Sequence, residues 1–502
     1  MPKSIIIIGA GLSGLSAGIY AQINGYNSSI LEHHTKTGGV AATWKRKGYT
    51  IDGGIHFIMD HKPGTKLNSL YQELGISQPH HFTDIHTYGQ FLDEESEDSV
   101  QISTDLATLA KDLKAISPDD SPIIDDLISG ANSMRGLDFS AIGMGKPPEL
   151  TTPIDRLREM WQMRRVYKYL GGKYANSIEE YVADIQSPWL QEFMKSVFLP
   201  DVPVWFIFMI LATLADGKAA YLTHGSQDLV GTLEKTYTDL GGQITFNSTV
   251  ESVLVENDVA VGVRLADETE HHADFIISTG DGYRTIFRLL DGRYTDATNK
   301  QRYATWQLSR PLLMISYGVA REFTNHPSFT IIHLEKPLRI GTRCVRNMFL
   351  RIFNYSRHFA PEGKTVVQVE IETEWEYWND IYNRNRANYN AEKKRLASEC
   401  LTRLEKYFPG ISKGVEITDV ATPYTTWRYT LNRNGSWGGW LMSKDLFTET
   451  IKRTLPGLRN FYMAGQWVMS GGVAPSLYSG RHSIQLVCRD NKGARFKSLS
   501  RH

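Results

Sequence analysis

The sequence predicts an α/β protein that begins with a nucleotide-binding strand, turn and helix, and two observations carry this prediction. The chain opens SIIIIGAGLSGLSAGIYA, Ser4 to Ala21, in which a β-branched run passes into three glycines spaced GxGxxG and then into a helix-like pattern. A second strand-like piece, SSIL, ends at Glu32, 21 residues after Gly11. That is close to the spacing of about 20 at which an acidic side chain hydrogen-bonds a ribose hydroxyl.

Ile5 to Ile8 lack the alternation of a half-exposed strand and read as a strand buried on both faces in a parallel sheet. Gly9 allows the tight turn, Gly11 lets the backbone approach a pyrophosphate and Gly14 permits close packing of helix on strand. Leu12 and Ser13 open the helix, whose N-terminal amides and partial positive charge suit phosphate. His33 and His34 follow the ribose glutamate at the surface. Next come TKTGGVAATW, with the pair Gly38 and Gly39, and GYTIDGGIHF, Gly48 to Phe57. A simple NAD dehydrogenase has no evident need of a second glycine turn so near the first. Within the latter segment Asp52 reads as a turn cap.

Composition narrows the function further. A chain of 502 residues exceeds the size at which one core stops growing, so two or three domains are expected. Lys+Arg and Asp+Glu both number 55, which leaves no long-range field for nucleic acid. Cys344, Cys400 and Cys488 lie far apart, without metal-site spacing, and point to a reducing, cytoplasmic setting. The apolar start is too short for an export signal. The longest apolar stretch, Val202 to Ala215, falls short of the roughly 20 residues that span a bilayer. It reads as a buried helix or the wall of an apolar cavity, and association with a membrane surface stays compatible with it.

The glycine turns resemble the FAD-binding half of the amine oxidase and phytoene desaturase superfamily, and the resemblance extends along the chain. The segment His224 to Glu268 resembles that family's helix, Gly-Gly turn and strand pair, and Ala273 to Gly282 its returning strand. Tyr407 to Trp440 contains a TP…T…NGSWGG pattern like that of phytoene desaturases, carotenoid isomerases and retinol saturases, and Leu455 to Cys488 resembles the closing strand, AGxxxxxGG turn and helix. The resemblance implies FAD as cofactor. It implies contacts from Gly9, Gly11, Leu12, Ser13, Gly14, Glu32, His33, Gly38, Gly39, Val40, Gly54, Ile55 and His56 in the first segment. Val250 would meet the adenine end, Gly465 and Gln466 the pyrophosphate or ribityl chain, and Gly472, Val473 and Ala474 the flavin pyrimidine. The closing GGVAPSLYSGR is nearer the carotenoid branch than the monoamine oxidases, although Val40 and Gln466 depart from the carotenoid pattern.

The order of these motifs implies a discontinuous Rossmann-like FAD-binding domain, residues 1–95, 222–290 and 455–502, with an inserted α+β substrate domain, 96–221 and 291–454. In the insertions, SIEEYVADIQSPWLQEFMKSVFL reads as one helix capped by Ser177. LLMISYGVA and TVVQVEIET read as strands, YNAEKKRLASECLTRLEKYF as a long helix with a solvated face, and Gly143 to Leu150 as a loop.

An FAD oxidoreductase of the phytoene desaturase type is therefore expected, one that desaturates, saturates or isomerises double bonds of an isoprenoid or other long apolar substrate. Flavin supplies the difficult step, so the protein must place a carbon, exclude water and handle a proton. His56 is the titratable side chain that the resemblance sets near the flavin ring. Two alternatives are an amine-oxidase-like flavoenzyme, with Trp437 and Trp467 as an aromatic pair, and a prenyl- or lipid-binding escort like the Rab GDP-dissociation inhibitors. Neither a metal site nor a Ser-His-Asp order competes.

Overall fold

The computed structural model describes residues 2–76, 81–138, 144–197, 199–491 and 494–498. Its first unit is a parallel sheet formed by β1 (Ser4–Ile8), β2 (Asn27–Leu31), β3 (Gln243–Thr245), β4 (Phe275–Ser278) and β5 (Phe461–Met463), in the order β3-β2-β1-β4-β5. The isoleucine run is explained by what covers it. Side chains alternate across a strand, and here Ile5 and Ile7 join one apolar cluster while Ile6 and Ile8 join another. Both faces of β1 are buried, so neither tolerates a polar residue. Helix α1 (Leu12–Ile23) crosses closely over the C-terminal helix on one face. A Cβ on Gly480 of that helix would stand 2.3 Å from the Ser13 carbonyl oxygen, so only glycine permits the approach.

The second unit is a seven-stranded mixed sheet, in the order 415–421, 312–319, 365–372, 343–352, 329–340, 87–93, 99–103. The strand-like LLMISYGVA and TVVQVEIET supply Leu312–Val319 and Thr365–Glu372, and the charged helix spans Arg386–Tyr407. Thr87–Asp93 lies inside the segment expected to bind nucleotide, yet it pairs with Phe329–Ile340 of this second sheet, so that boundary at 95 falls several residues late. The boundary at 290 is equally soft. Tyr303 and Trp440, placed by sequence in the insertion, pack in the cluster that covers Ile6 and Ile8.

A helical layer completes the second unit. Ser177 does form a capping box, accepting from Glu180 N while the Glu180 carboxylate accepts from Ser177 N. The helix it starts, however, stops at Tyr181, and a separate one runs over Pro188–Val197. The expected single helix is broken because Pro188 has no N–H to give and disfavours helical backbone in the residue before it. Of the expected loop, Gly143 lies outside the described residues, and Pro148–Leu150 forms a single 3-10 turn. Helix α2 (Pro153–Met163) follows and buries no residue fully. Helix α3 (Val204–Ala215) is the apolar stretch singled out in the sequence. Helices α4 (Ser226–Asp239) and α5 (Val473–Asp490) return the chain to the parallel sheet.

Candidate functional site

The turn after β1 is shaped by its glycines. Gly9 has φ +98° and its N–H donates to Leu31 O at 2.8 Å, tying the turn to β2. A Cβ on Gly14 would lie 1.9 Å from Gly9 O, which is the close helix-on-strand packing expected there. A Cβ on Gly11 would meet nothing within 4 Å, because the space before it is cavity. Gly38 and Gly39, at φ +118° and +59°, fold against this turn, and Gly38 N donates to Ala10 O at 2.9 Å. The first amides of α1 carry no side-chain cap. Leu12, Ser13, Gly38, Gly39 and Val40 all line the same cavity. An uncapped helix N-terminus behind a glycine turn is a phosphate-binding geometry.

Glu32 also lines it, with one carboxylate oxygen accepting from Ala10 N at 2.6 Å and the other from His34 N at 2.7 Å. Burial pushes its pKa up against those amides. Its neighbour His33 does not reach the cavity. The imidazole is taken up by Thr249 Oγ1 at 2.7 Å and the Arg428 carbonyl at 3.2 Å, and His34 lines the cavity instead. Neither histidine is the free surface group expected, since both are half-buried and His34 stands edge-on to Tyr429. Val250 is buried at the start of its strand, and its carbonyl accepts from Arg284.

The distant closing segment is brought to the same place. Gly465, at φ +95°, donates its N–H to Ser479 Oγ at 2.8 Å, and Gly472, at φ +123°, starts α5. Ser13 Oγ donates to Ser476 O at 2.9 Å, so α5 and α1 are joined where Gly465, Gln466, Gly472, Val473 and Ala474 face the cavity. Trp467 lines it too but is 2% exposed and packs edge-on against Trp440 at 5.3 Å; it makes no ring contact with Trp437. Trp437 lines the cavity as well.

Beneath Gly54, Ile55 and His56 lies a buried polar block that sequence reasoning missed. Asp52 is more than a local cap: it accepts from Gly54 N and also from both Ser226 N, at 2.6 Å, and Ser226 Oγ, at 2.7 Å, anchoring the start of α4. Burial raises its pKa. Gln368 donates to Asp52 O at 3.1 Å, and Arg351 donates to Gln368, to Glu370 at 3.1 Å and to the carbonyl of Ile55 at 3.1 Å. Glu370 in turn stands 2.8 Å from His56 Nε2. Burial alone would raise the Glu370 carboxyl, but His56 and Arg351 outweigh it and hold the pKa down at about 2. An anionic Glu370 fixes the proton on Nε2 and leaves Nδ1 without a hydrogen-bond partner among the described residues.

These parts open onto one cavity of about 1850 Å³, which runs from the phosphate turn past His56 to an apolar wall. That wall includes Trp205, Phe206, Met209 and Ile210 of α3, together with Phe329, Phe349, Met442 and Phe447, the last in ring contact with Trp205 at 5.0 Å. The other face of α3, with Ile207, Phe208 and Leu211, packs into the second unit's core. Both sequence readings of this stretch thus hold, one on each face.

The glycine cradle, the uncapped helix and the acidic residue at the cavity's far end fit a dinucleotide, and comparison with known proteins agrees. The family of flavin containing amine oxidoreductases matches residues 12–488. The prolycopene isomerase of Arabidopsis thaliana is 25% identical over 462 residues, covering 86% of this chain and 73% of its own. A lycopene-forming phytoene desaturase of Paracoccus is 21% identical over 519 residues, covering 97% and 98%. In fold, the crystal structure of an oxidoreductase from Methanosarcina mazei superposes with a TM-score of 0.62 at 16% identity, over 96% of this chain and 100% of that one. The chain belongs to the flavin containing amine oxidoreductases, on the phytoene desaturase side of that superfamily, and is an FAD-dependent oxidoreductase.

Proposed function

We propose that the enzyme desaturates, saturates or isomerises carbon–carbon double bonds of a long isoprenoid or carotenoid substrate. The observation that carries this reading is the single cavity joining the phosphate turn to the apolar wall of α3. A polyene offers no polar anchor, so its binding must come from burying methylenes and methines, at about 0.8 kcal/mol per CH₂. FAD, when bound, supplies hydride acceptance and donation.

The chain's own residues then have three tasks. Gly9, Gly11, Leu12, Ser13, Gly38, Gly39 and Glu32 hold the cofactor's phosphates and ribose, with Gly465, Gln466 and Gly472 to Ala474 completing the cradle. Trp205, Phe206, Met209 and Ile210 orient the substrate chain and keep water away from the reacting carbon. His56 holds or moves a proton at Nδ1, oriented by Glu370 through Nε2. Prolycopene isomerase and phytoene desaturase, by their names, act on polyenes without amino groups, which favours this reading over an amine substrate.

Anaerobic mixing of the FAD-loaded enzyme with a carotenoid and, separately, with a primary amine tests it. Spectral change of flavin or polyene with the carotenoid only is expected; bleaching by the amine alone overturns the reading. His56→Gln is expected to keep the flavin absorption band while slowing the reaction by about 10²–10⁴, the usual worth of a positioned acid or base.

A further inference from the structure

Among the described residues seven large apolar side chains are exposed, and five of them fall in the short stretch 154–167. Ile154, Leu157 and Trp161, exposed by 78%, 66% and 64%, recur at i, i+3 and i+7 and form one outward face of α2, extended by Met160 at 55%. The inward side carries the half-buried Asp155, Glu159 and Met163. So large an apolar face on a short helix calls for a partner.

Charge says what kind. From 153 to 173 the chain has six Arg and Lys against two Asp and Glu, although the protein as a whole is neutral. Of the two acids, Asp155 is engaged by Lys146 at 2.9 Å. Arg156, Arg158, Arg164 and Arg165 are exposed, and the Arg164 guanidinium lies 3.7 Å over the Trp161 ring. Apolar residues centred on a tryptophan and flanked by arginines suit the boundary between acyl chains and anionic headgroups. No helix among the described residues is long and apolar enough to cross a membrane, so α2 would lie in the plane of the surface.

Position supplies the third argument. Met163, in the last turn of α2, lines the catalytic cavity together with Leu199 and Phe206. The inward side of α2 therefore meets the apolar wall proposed to receive the substrate, while its apolar outward face lies on the same short helix.

We infer that α2 is an interfacial helix that seats the enzyme on an anionic lipid bilayer, with the apolar cavity entered beside it. This rests on the reading of the cavity as an apolar-substrate site. A polyene dissolved in acyl chains would then pass from bilayer to cavity without crossing water.

Co-sedimentation of the FAD-loaded full chain with phosphatidylcholine vesicles, with or without phosphatidylglycerol, tests it. Wild type is expected to pellet with the anionic vesicles and to be released by high salt. Ile154→Ser/Leu157→Ser/Trp161→Ser should partition at least about tenfold less while keeping its flavin absorption and thermal midpoint, because the replaced side chains are exposed. Arg156→Gln/Arg158→Gln/Arg165→Gln should lose the preference for anionic over neutral vesicles. Equal partitioning of wild type and the apolar triple variant overturns the inference. So does a wild-type dimer, by light scattering without lipid, that becomes monomeric in that variant, since the face would then belong to a second copy. The assay reads lipid binding, not turnover. Loss of vesicle binding in an enzyme that still acts on a carotenoid refutes the surface alone, whereas vesicle binding by an enzyme inert to carotenoids refutes the substrate reading alone.

Discussion

At the scale of single residues, Glu370 decides most. Its carboxyl ionises at about 2 instead of the ordinary 4.5 because His56 and Arg351 face it in a buried site. A depressed pKa contributes stability that is present above the unfolded value, here about 4.5, and that is lost as pH falls through about 2. Glu370→Gln leaves Arg351 buried without its carboxylate, at a cost of about 3–5 kcal/mol near neutrality. The stability gap between wild type and variant, measured by urea unfolding, should narrow as pH is lowered from 5 towards 2.5. A gap that stays constant with pH would show that the ion pair does not link proton binding to folding.

At the scale of elements, α3 shows how one apolar helix serves two roles. Phe206 lines the cavity and Phe208, two residues on, is fully buried against Tyr169 and Tyr174 with ring centroids at 5.7 and 5.4 Å. Substitution at the two should therefore separate function from stability. Phe206→Asp is expected to weaken carotenoid binding at least about tenfold, read by titration, with the flavin spectrum unchanged. Phe208→Ala should lower stability by about 3–5 kcal/mol through the cavity it leaves, read by the denaturation midpoint.

At the scale of the whole molecule, the proposed cofactor cradle draws on pieces of chain more than 450 residues apart, since Ser13 bonds Ser476 across the α1–α5 crossing. FAD bound there should hold the N- and C-terminal segments together and stabilise the fold by mass action, by about 2.7 kcal/mol at a hundredfold excess over Kd. Thermal melting with and without added FAD should show a rise in midpoint for wild type. For Gly11→Val the rise should vanish, because isopropyl would fill the space before the turn; an unchanged rise would sink the assigned role of Gly11.

Much of this was legible in the sequence. Motifs that act through the backbone leave a residue-type signature, because only glycine serves at Gly9, Gly14 and Gly480. A strand covered on both faces must be apolar throughout, as Ile5 to Ile8 are. The buried block under His56 was hidden for the opposite reason. In TVVQVEIE, Gln368, Glu370 and Glu372 alternate with valine and isoleucine, the pattern of a strand with one face in water. Only tertiary structure turns that polar face inward, setting Gln368 on Asp52 and Glu370 between Arg351 and His56. The sequence by itself thus determined the dinucleotide-binding turn and the parallel sheet, because a glycine turn and an unbroken β-branched run each have few physical readings, and the family resemblance of the later motifs made the dinucleotide FAD. Which carboxylate faces His56, and which face of α3 lines the cavity, were decided by packing between segments that the chain order keeps far apart.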